Sequence, residues 1–319
     1  MNVIWIDDQK ERREAANNLK NSQGWDVNFI DVEDQDISKI LTEIVSNPEP
    51  DLILIDHNLH EVATGVFKKG SSVAASIRDN WPECPIICVS GVNISEVDHQ
   101  QKVLYEDIIS IDAISEHYPQ ILSIADGFKQ VRANRPTKGE DLAELLNVPD
   151  IDRINFVSVL PVHNWFDKTL AVSISRWVRF TLMARAGFLY DKLWLSTLIG
   201  IKESSFHKVE HLFADAEYTG IFSNENERRW WKSDALIALY ENSDLQGLPW
   251  ERGRGLKDIT QEDFSVCHAT GESFPETVAF VDSDPNAAAV PIKIRESDLH
   301  PDFPSLLFFE DLRLMRPAE

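Results

Sequence analysis

Val3-Ile4-Trp5-Ile6-Asp7-Asp8 is the stretch on which the fold turns. Four apolar residues without polar alternation read as a strand buried on both faces, and two carboxylates follow at its carboxyl end. The pattern recurs twice: Leu52-Ile53-Leu54-Ile55 runs into Asp56, and Pro85-Ile86-Ile87-Cys88-Val89 runs into Ser90. Parallel strands that end in polar residues place them where open α/β sheets bind ligands. Three carboxylates at one sheet edge repel one another unless a cation lies among them. The arrangement therefore implies a hard divalent metal, Mg²⁺, with one carboxylate left free to react.

Between these strands lie helix candidates at Glu11–Asn21, Ser38–Asn47, Ser71–Asn80, Glu96–Val103 and Ile114–Val131. Asn47-Pro48 and Asn80-Trp81-Pro82 stop the second and third. With Gly70 opening the third helix, these features, in this order, resemble the receiver domain of two-component response regulators over residues 1 to about 130. The resemblance implies a flavodoxin-like, doubly wound, five-stranded parallel sheet. It makes Asp56 the phospho-acceptor and Asp7 and Asp8 the acidic pair, with Asp8 on Mg²⁺ directly, Asp7 through water and the Asn58 backbone carbonyl completing the protein ligands. Ser90 would hydrogen-bond the phosphoryl group. The implied partner is a histidine kinase or phosphotransfer protein, and the implied role is phospho-acceptor rather than turnover enzyme.

Two departures stand out. The family ends its fifth strand in a Lys that pairs with the phosphoryl group, but here Tyr105-Glu106-Asp107-Ile108-Ile109-Ser110-Ile111-Asp112 puts Ile111 or Asp112 there, with Ile108 in place of the usual aromatic. Losing that charge-assisted contact removes about 2 kcal/mol of transition-state stabilisation. The spacing from Asp56 to Gly70 is also longer than the family habit, and the extra loop carries Lys68 and Lys69, either of which could supply a cation from another side.

The chain has 319 residues, 43% of them apolar, enough for two ordinary cores. Its net charge of −22 divides evenly, −11 in residues 1–135 and −11 in residues 136–319. An acidic second half argues against DNA binding, which depends on Lys and Arg neutralising phosphates. Cys84, Cys88 and Cys267 form no metal-type pair and fit a reducing cytosol. The strand that begins just after Met1-Asn2 leaves no room for a signal peptide, and charges interrupt the apolar region 165–201, so a cytoplasmic protein without membrane segments is expected.

Around Arg132-Ala133-Asn134-Arg135-Pro136 the apolar periodicity lapses. The expected organisation is therefore a receiver-like domain at 1–132, a linker with a short helix at 133–150, and an α+β output or interaction domain at 151–319, helical first and strand-rich at its end. Its expected helices are Asp141–Asn147, Trp165–Arg185, Gly187–Ile201, Ser204–Ala216 and Glu225–Tyr240. Its expected strands are Thr277–Val281, Val290–Arg295 and Leu306–Leu314.

His207-Lys208-Val209-Glu210-His211 spells HxxEH, which on an α-helix can hold Zn²⁺ between two His residues with Glu as base. Glu203 stands one turn earlier, and Glu276 or Glu296 could be a further ligand. The apolar residues Phe206, Val209, Leu212, Phe213 and Ala216 define one face, however, and leave both His residues on the opposite side. Arg228-Arg229-Trp230-Trp231-Lys232 reads as an amphipathic helix, Arg252-Gly253-Arg254-Gly255 as a Gly-rich turn, and Cys267-His268 as structural.

The primary expectation is a Mg²⁺-dependent phospho-acceptor whose C-terminal half is a non-DNA-binding module for another signalling protein. Receivers of that kind also occur in bacterial defence operons resembling two-component relays. The alternatives are a pseudo-receiver scaffold that is never phosphorylated and a C-terminal HxxEH hydrolase.

Overall fold

A computed structural model of the chain describes residues 1–32, 37–59, 69–91, 97–161, 165–168, 170–265, 277–280 and 290–293. The chain divides into two compact units. The first comprises residues 1–146, 160–179 and 220–226, and the second comprises 147–159, 180–219 and 227–319.

The first unit begins with strand β1 (Asn2–Asp7), helix α1 (Arg12–Gln23), β2 (Asp26–Asp31), α2 (Ile37–Ser46), β3 (Leu52–Ile55), α3 (Gly70–Asn80), β4 (Ile86–Ser90), α4 (His99–Lys102), β5 (Asp107–Ser110) and α5 (Tyr118–Ala133). The five strands form one sheet in the order β2-β1-β3-β4-β5, every pair parallel. This is the flavodoxin-like order, which is also that of receiver domains, and the N-terminal region is receiver-like in fold.

The apolar runs are buried on both faces, as an all-parallel sheet requires. Ile4, Ile6, Ile53, Ile55, Ile86 and Cys88 join Ile40 and Ile44 of α2 and Val73, Ala74 and Ile77 of α3 in one core. Trp5, Leu54, Ile87 and Val89 alternate with them and are buried as well. Helix α1 ends at Gly24, whose left-handed φ of 67° lets its N–H reach the Lys20 carbonyl before β2 begins.

The expected fourth helix shrinks to the single turn α4, with Asp98 capping it through the Gln100 N–H at 2.7 Å. Tyr105, ahead of β5, is buried in the core. After β5 the chain enters a 3₁₀ segment, Ile111–His117, and then α5.

Also within this unit, α6 (Gly139–Leu145) buries Leu142 and Ala143, and residues 170–179 are tied by ion pairs to Glu106 and Asp107 at the start of β5. The sequence predicts one long helix over Trp165–Arg185. It is instead α8 (Trp165–Lys168), then α9 (Ala171–Trp177), which runs on into a π turn over Val178–Leu182. Its arginines explain its position. Arg176 pairs with the fully buried Glu106 at 2.8 Å, Arg78 of α3 binds the same carboxylate, and Arg179 reaches Asp107 at 2.9 Å.

The second unit contains α7 (Asp150–Ser158), β6 (Leu189–Tyr190), α10 (Lys192–Leu198), β7 (Trp230–Trp231), α11 (Lys232–Asn242), α12 (Pro249–Gly253) and a hairpin of β8 (Thr277–Phe280) with β9 (Val290–Lys293). Helical residues followed by a terminal hairpin fit the expected α+β character. The expected strand Leu306–Leu314 lies outside the described residues, as do Cys267, His268, Glu276 and Glu296.

Three expected helices are corrected here, the first being Gly187–Ile201, which is the strand β6 followed by the shorter helix α10. Within the Arg-Trp run Trp230 and Trp231 form a strand, pairing antiparallel with Tyr190 and Leu189, and both indoles are buried. Ser204–Ala216 is two consecutive 3₁₀ segments, Glu203–Lys208 and Glu210–Ala216. Phe206, Val209, Phe213 and Ala216 face the core as expected. The Arg252–Gly255 stretch closes α12, and a Cβ on Gly253 would collide with the Ile199 carbonyl, so glycine here serves helix packing.

Candidate phosphoryl and metal site

Parallel pairing in register brings the strand ends together. Ile6 lies opposite Ile55 and Ile55 opposite Cys88, so Asp7, Asp56 and Ser90 leave the sheet along one edge. Carboxylate oxygens of Asp7, Asp8 and Asp56 lie within 4.8 Å of one another, and all three residues are buried. Ser90 is buried too, at the end of β4 and paired with Ser110 of β5.

Asp7 and Asp56 are held by nearby donors. The Gln9 N–H donates to Asp7 Oδ1 at 2.9 Å and the Trp5 indole N–H to Asp7 Oδ2 at 3.3 Å. The His57 N–H donates to Asp56 Oδ1 at 2.8 Å. The α3 N-terminus packs tightly on this edge: the Gly70 N–H donates to the His57 carbonyl at 2.8 Å, and any Cβ on Gly70 would overlap the Asp56 carbonyl oxygen. Asn58 forms an isolated backbone bridge with Lys69, whose Nζ donates to Asn58 Oδ1 at 2.5 Å. Of the two loop lysines, Lys69 is therefore committed to Asn58, and Lys68 lies outside the described residues.

The residue that sequence reasoning missed is Arg12. Its Nη1 lies 2.9 Å from Asp7 Oδ2 and 3.1 Å from Asp56 Oδ1, with the arginine side chain only 10% exposed. A signal was present, an arginine four residues after Asp8 in the first turn of α1, but in Gln9-Lys10-Glu11-Arg12-Arg13 it looked like one surface cation among several.

Electrostatics follow from burial. Desolvation raises the Asp7 carboxyl to about 6 even though Arg12 and the Gln9 N–H pull it down, and it raises Asp56 against the same arginine. Burial and the nearby Lys69 lower His57, which keeps that ring neutral. The Cys88 thiol is pushed up to about 12 by burial and by Asp56, so it is not a nucleophile here.

The HxxEH residues do not converge. His207 sits in the first 3₁₀ segment and His211 in the second, both exposed, and His207 Nδ1 is 2.7 Å from the Ser204 carbonyl oxygen. Glu210 accepts from Arg228, which also binds Glu217 at 2.8 Å. Among the described residues, the group able to hold a metal is the Asp7–Asp8–Asp56 cluster.

A flavodoxin-like sheet carrying three carboxylates at its carboxyl edge is the class of domain that the fold and site define, a receiver-like domain. No family model matches the sequence. No curated protein matches it either. Solved structures do match the N-terminal part. The N-terminal domain of a response regulator/sensory box/GGDEF protein from Carboxydothermus hydrogenoformans is 18% identical, covering 42% of this chain and 98% of that chain with a TM-score of 0.34. The response regulator TrrA from Thermotoga maritima, in complex with Mg²⁺-BeF, is 16% identical over 38% of this chain and 97% of that chain, TM-score 0.30. TrrA in complex with the histidine kinase ThkA is 17% identical over 38% and 97%, TM-score 0.30. Among the described residues, no helix is long and apolar enough to cross a membrane.

Proposed function

We propose that this chain is a two-component signalling protein whose receiver-like domain accepts a phosphoryl group on Asp56. The observation that carries this reading is the buried triad of Asp7, Asp8 and Asp56 at the carboxyl edge of β1 and β3. All-oxygen, carboxylate-rich donors suit a hard divalent cation such as Mg²⁺, with the Asn58 carbonyl as a further ligand. When bound, such an ion neutralises the charge that develops on a transferring phosphoryl group.

The chain's own residues supply the remainder. Asp56 is the nucleophile toward a phosphohistidine of a histidine kinase or phosphotransfer protein, oriented by the His57 N–H on Oδ1 so that the other oxygen is available for attack. Ser90 would meet a phosphoryl oxygen from the end of β4. The second unit, in an acidic chain, fits a protein-binding output better than a DNA-binding one.

The second reading, a phosphorylation-independent scaffold, is favoured by Arg12, which pairs with both Asp7 and Asp56 without a metal. Intact-protein mass after incubation with acetyl phosphate and Mg²⁺ separates the two. One added phosphoryl mass that is absent in Asp56→Ala establishes the acceptor. No gain, where a known receiver is labelled in parallel, favours the scaffold.

A further inference from the structure

We propose that Arg12 is a tethered counter-ion of the acid site, a resident charge that a divalent cation must displace from Asp7 and Asp56 before it can bind. This rests on reading the triad as a metal site, and it adds the residue that governs its occupancy.

The inference begins with shared oxygens. Asp7 Oδ1 is taken by the Gln9 N–H, and Asp7 Oδ2 and Asp56 Oδ1 are both bridged by one nitrogen, Arg12 Nη1. The side chains of Asp7 and Asp56 are 0% and 3% exposed, so little water screens the group. An ion at about 2.1 Å from either bridged oxygen would lie only a few ångströms from the guanidinium, where two cations in a poorly screened site repel strongly.

Arg12 can leave because its anchorage is one-sided. Its backbone is fixed in the first turn of α1, with its N–H on the Gln9 carbonyl at 3.1 Å, while the guanidinium reaches the acids on a long flexible stem. Nη2 lies 3.7 Å from where a Cβ on Gly91 would stand, so the plane of the group runs from the acids toward the β4 end. The strand-end lysine of the family is replaced here, and the cation has moved onto the carboxylates themselves.

The test is calorimetric titration of Mg²⁺ into the native chain, Arg12→Gln and Arg12→Lys, with the metal alone as probe. The expected result is Mg²⁺ binding that tightens about tenfold or more in Arg12→Gln, with Arg12→Lys between the two because an ammonium bridges two carboxylates less well. An unchanged or weaker affinity in Arg12→Gln overturns the inference. No Mg²⁺ binding by any of the three overturns it together with the metal reading. Should Arg12→Gln fail to fold, Arg12→Lys decides alone, by binding tighter than the native chain or not. Tighter binding without labelling of Asp56 leaves the counter-ion standing and removes the phospho-acceptor.

Discussion

Replacing Asp7 with Asn should make the receiver-like unit more stable at neutral pH in the absence of divalent metal, and the gain should vanish in mild acid. The unfolded carboxyl titrates near 3.8, and the buried one near 6. Below 3.8 both states hold the proton. Between 3.8 and about 6 the folded chain keeps a proton that the unfolded chain has lost, so stability falls as pH rises. At 1.36 kcal/mol per pH unit, that interval amounts to about 3 kcal/mol, present below 3.8 and gone above 6. Asn has nearly the shape of the protonated acid and does not titrate, so Asp7→Asn should match the native chain near pH 4 and exceed it by about 1–3 kcal/mol at pH 7. Hydrogen exchange of β1 and β3 peptides in EDTA, across pH 4.5 to 7.5 and corrected for intrinsic exchange, reports opening of this unit alone. A native-minus-variant difference that is flat with pH, or that moves in the native chain's favour as pH rises, would refute the reasoning by showing that Arg12 stabilises the Asp7 charge by more than burial costs it.

Two further outcomes follow from packing at and beside the site. Glu106→Ala removes the buried carboxylate shared by Arg78 and Arg176 and should cost about 3–5 kcal/mol in urea unfolding, whereas a loss below about 1 kcal/mol would mean that both arginines find other partners. Gly70→Ala places a methyl on the Asp56 carbonyl oxygen and should cost about 1–3 kcal/mol while slowing acetyl-phosphate labelling, and wild-type labelling with wild-type stability would show that α3 can retreat.

The sheet was legible because a parallel strand buried on both faces leaves an unbroken apolar run. Val3 to Ile6, Leu52 to Ile55 and Ile86 to Val89 could be nothing else at that length, and the polar residue after each run fixed the edge at which they meet. Helices whose identity depends on tertiary partners were not legible. Trp230 and Trp231 have helical neighbours in sequence, yet a pairing with Leu189 and Tyr190, some forty residues earlier, makes them a strand. Phe206, Val209, Phe213 and Ala216 lie at spacings of three and four that suit an α-helix, and two 3₁₀ segments bury the same set by breaking at Val209. Burial was predicted where it depended on residue type, and conformation was missed where both conformations bury the same residues.

Arg12 belongs to a third kind of illegibility, in which position and type are visible but direction is not. Arg12 and Arg13 are adjacent cations in one helical turn, about 100° apart on the helix. Arg13 points to Phe29 and Asp31 on β2 and is 55% exposed, while Arg12 points over the sheet edge into the acids. The placement changes the logic of the site. A cation lying on the oxygens of Asp7 and Asp56 offsets part of the cost of burying them and stands where a metal would enter. If Arg12 is the counter-ion proposed above, the Mg²⁺ concentration at which it gives way is the concentration at which the oxygens of Asp7 and Asp56 open, and titration of Arg12→Gln beside the native chain measures that threshold directly.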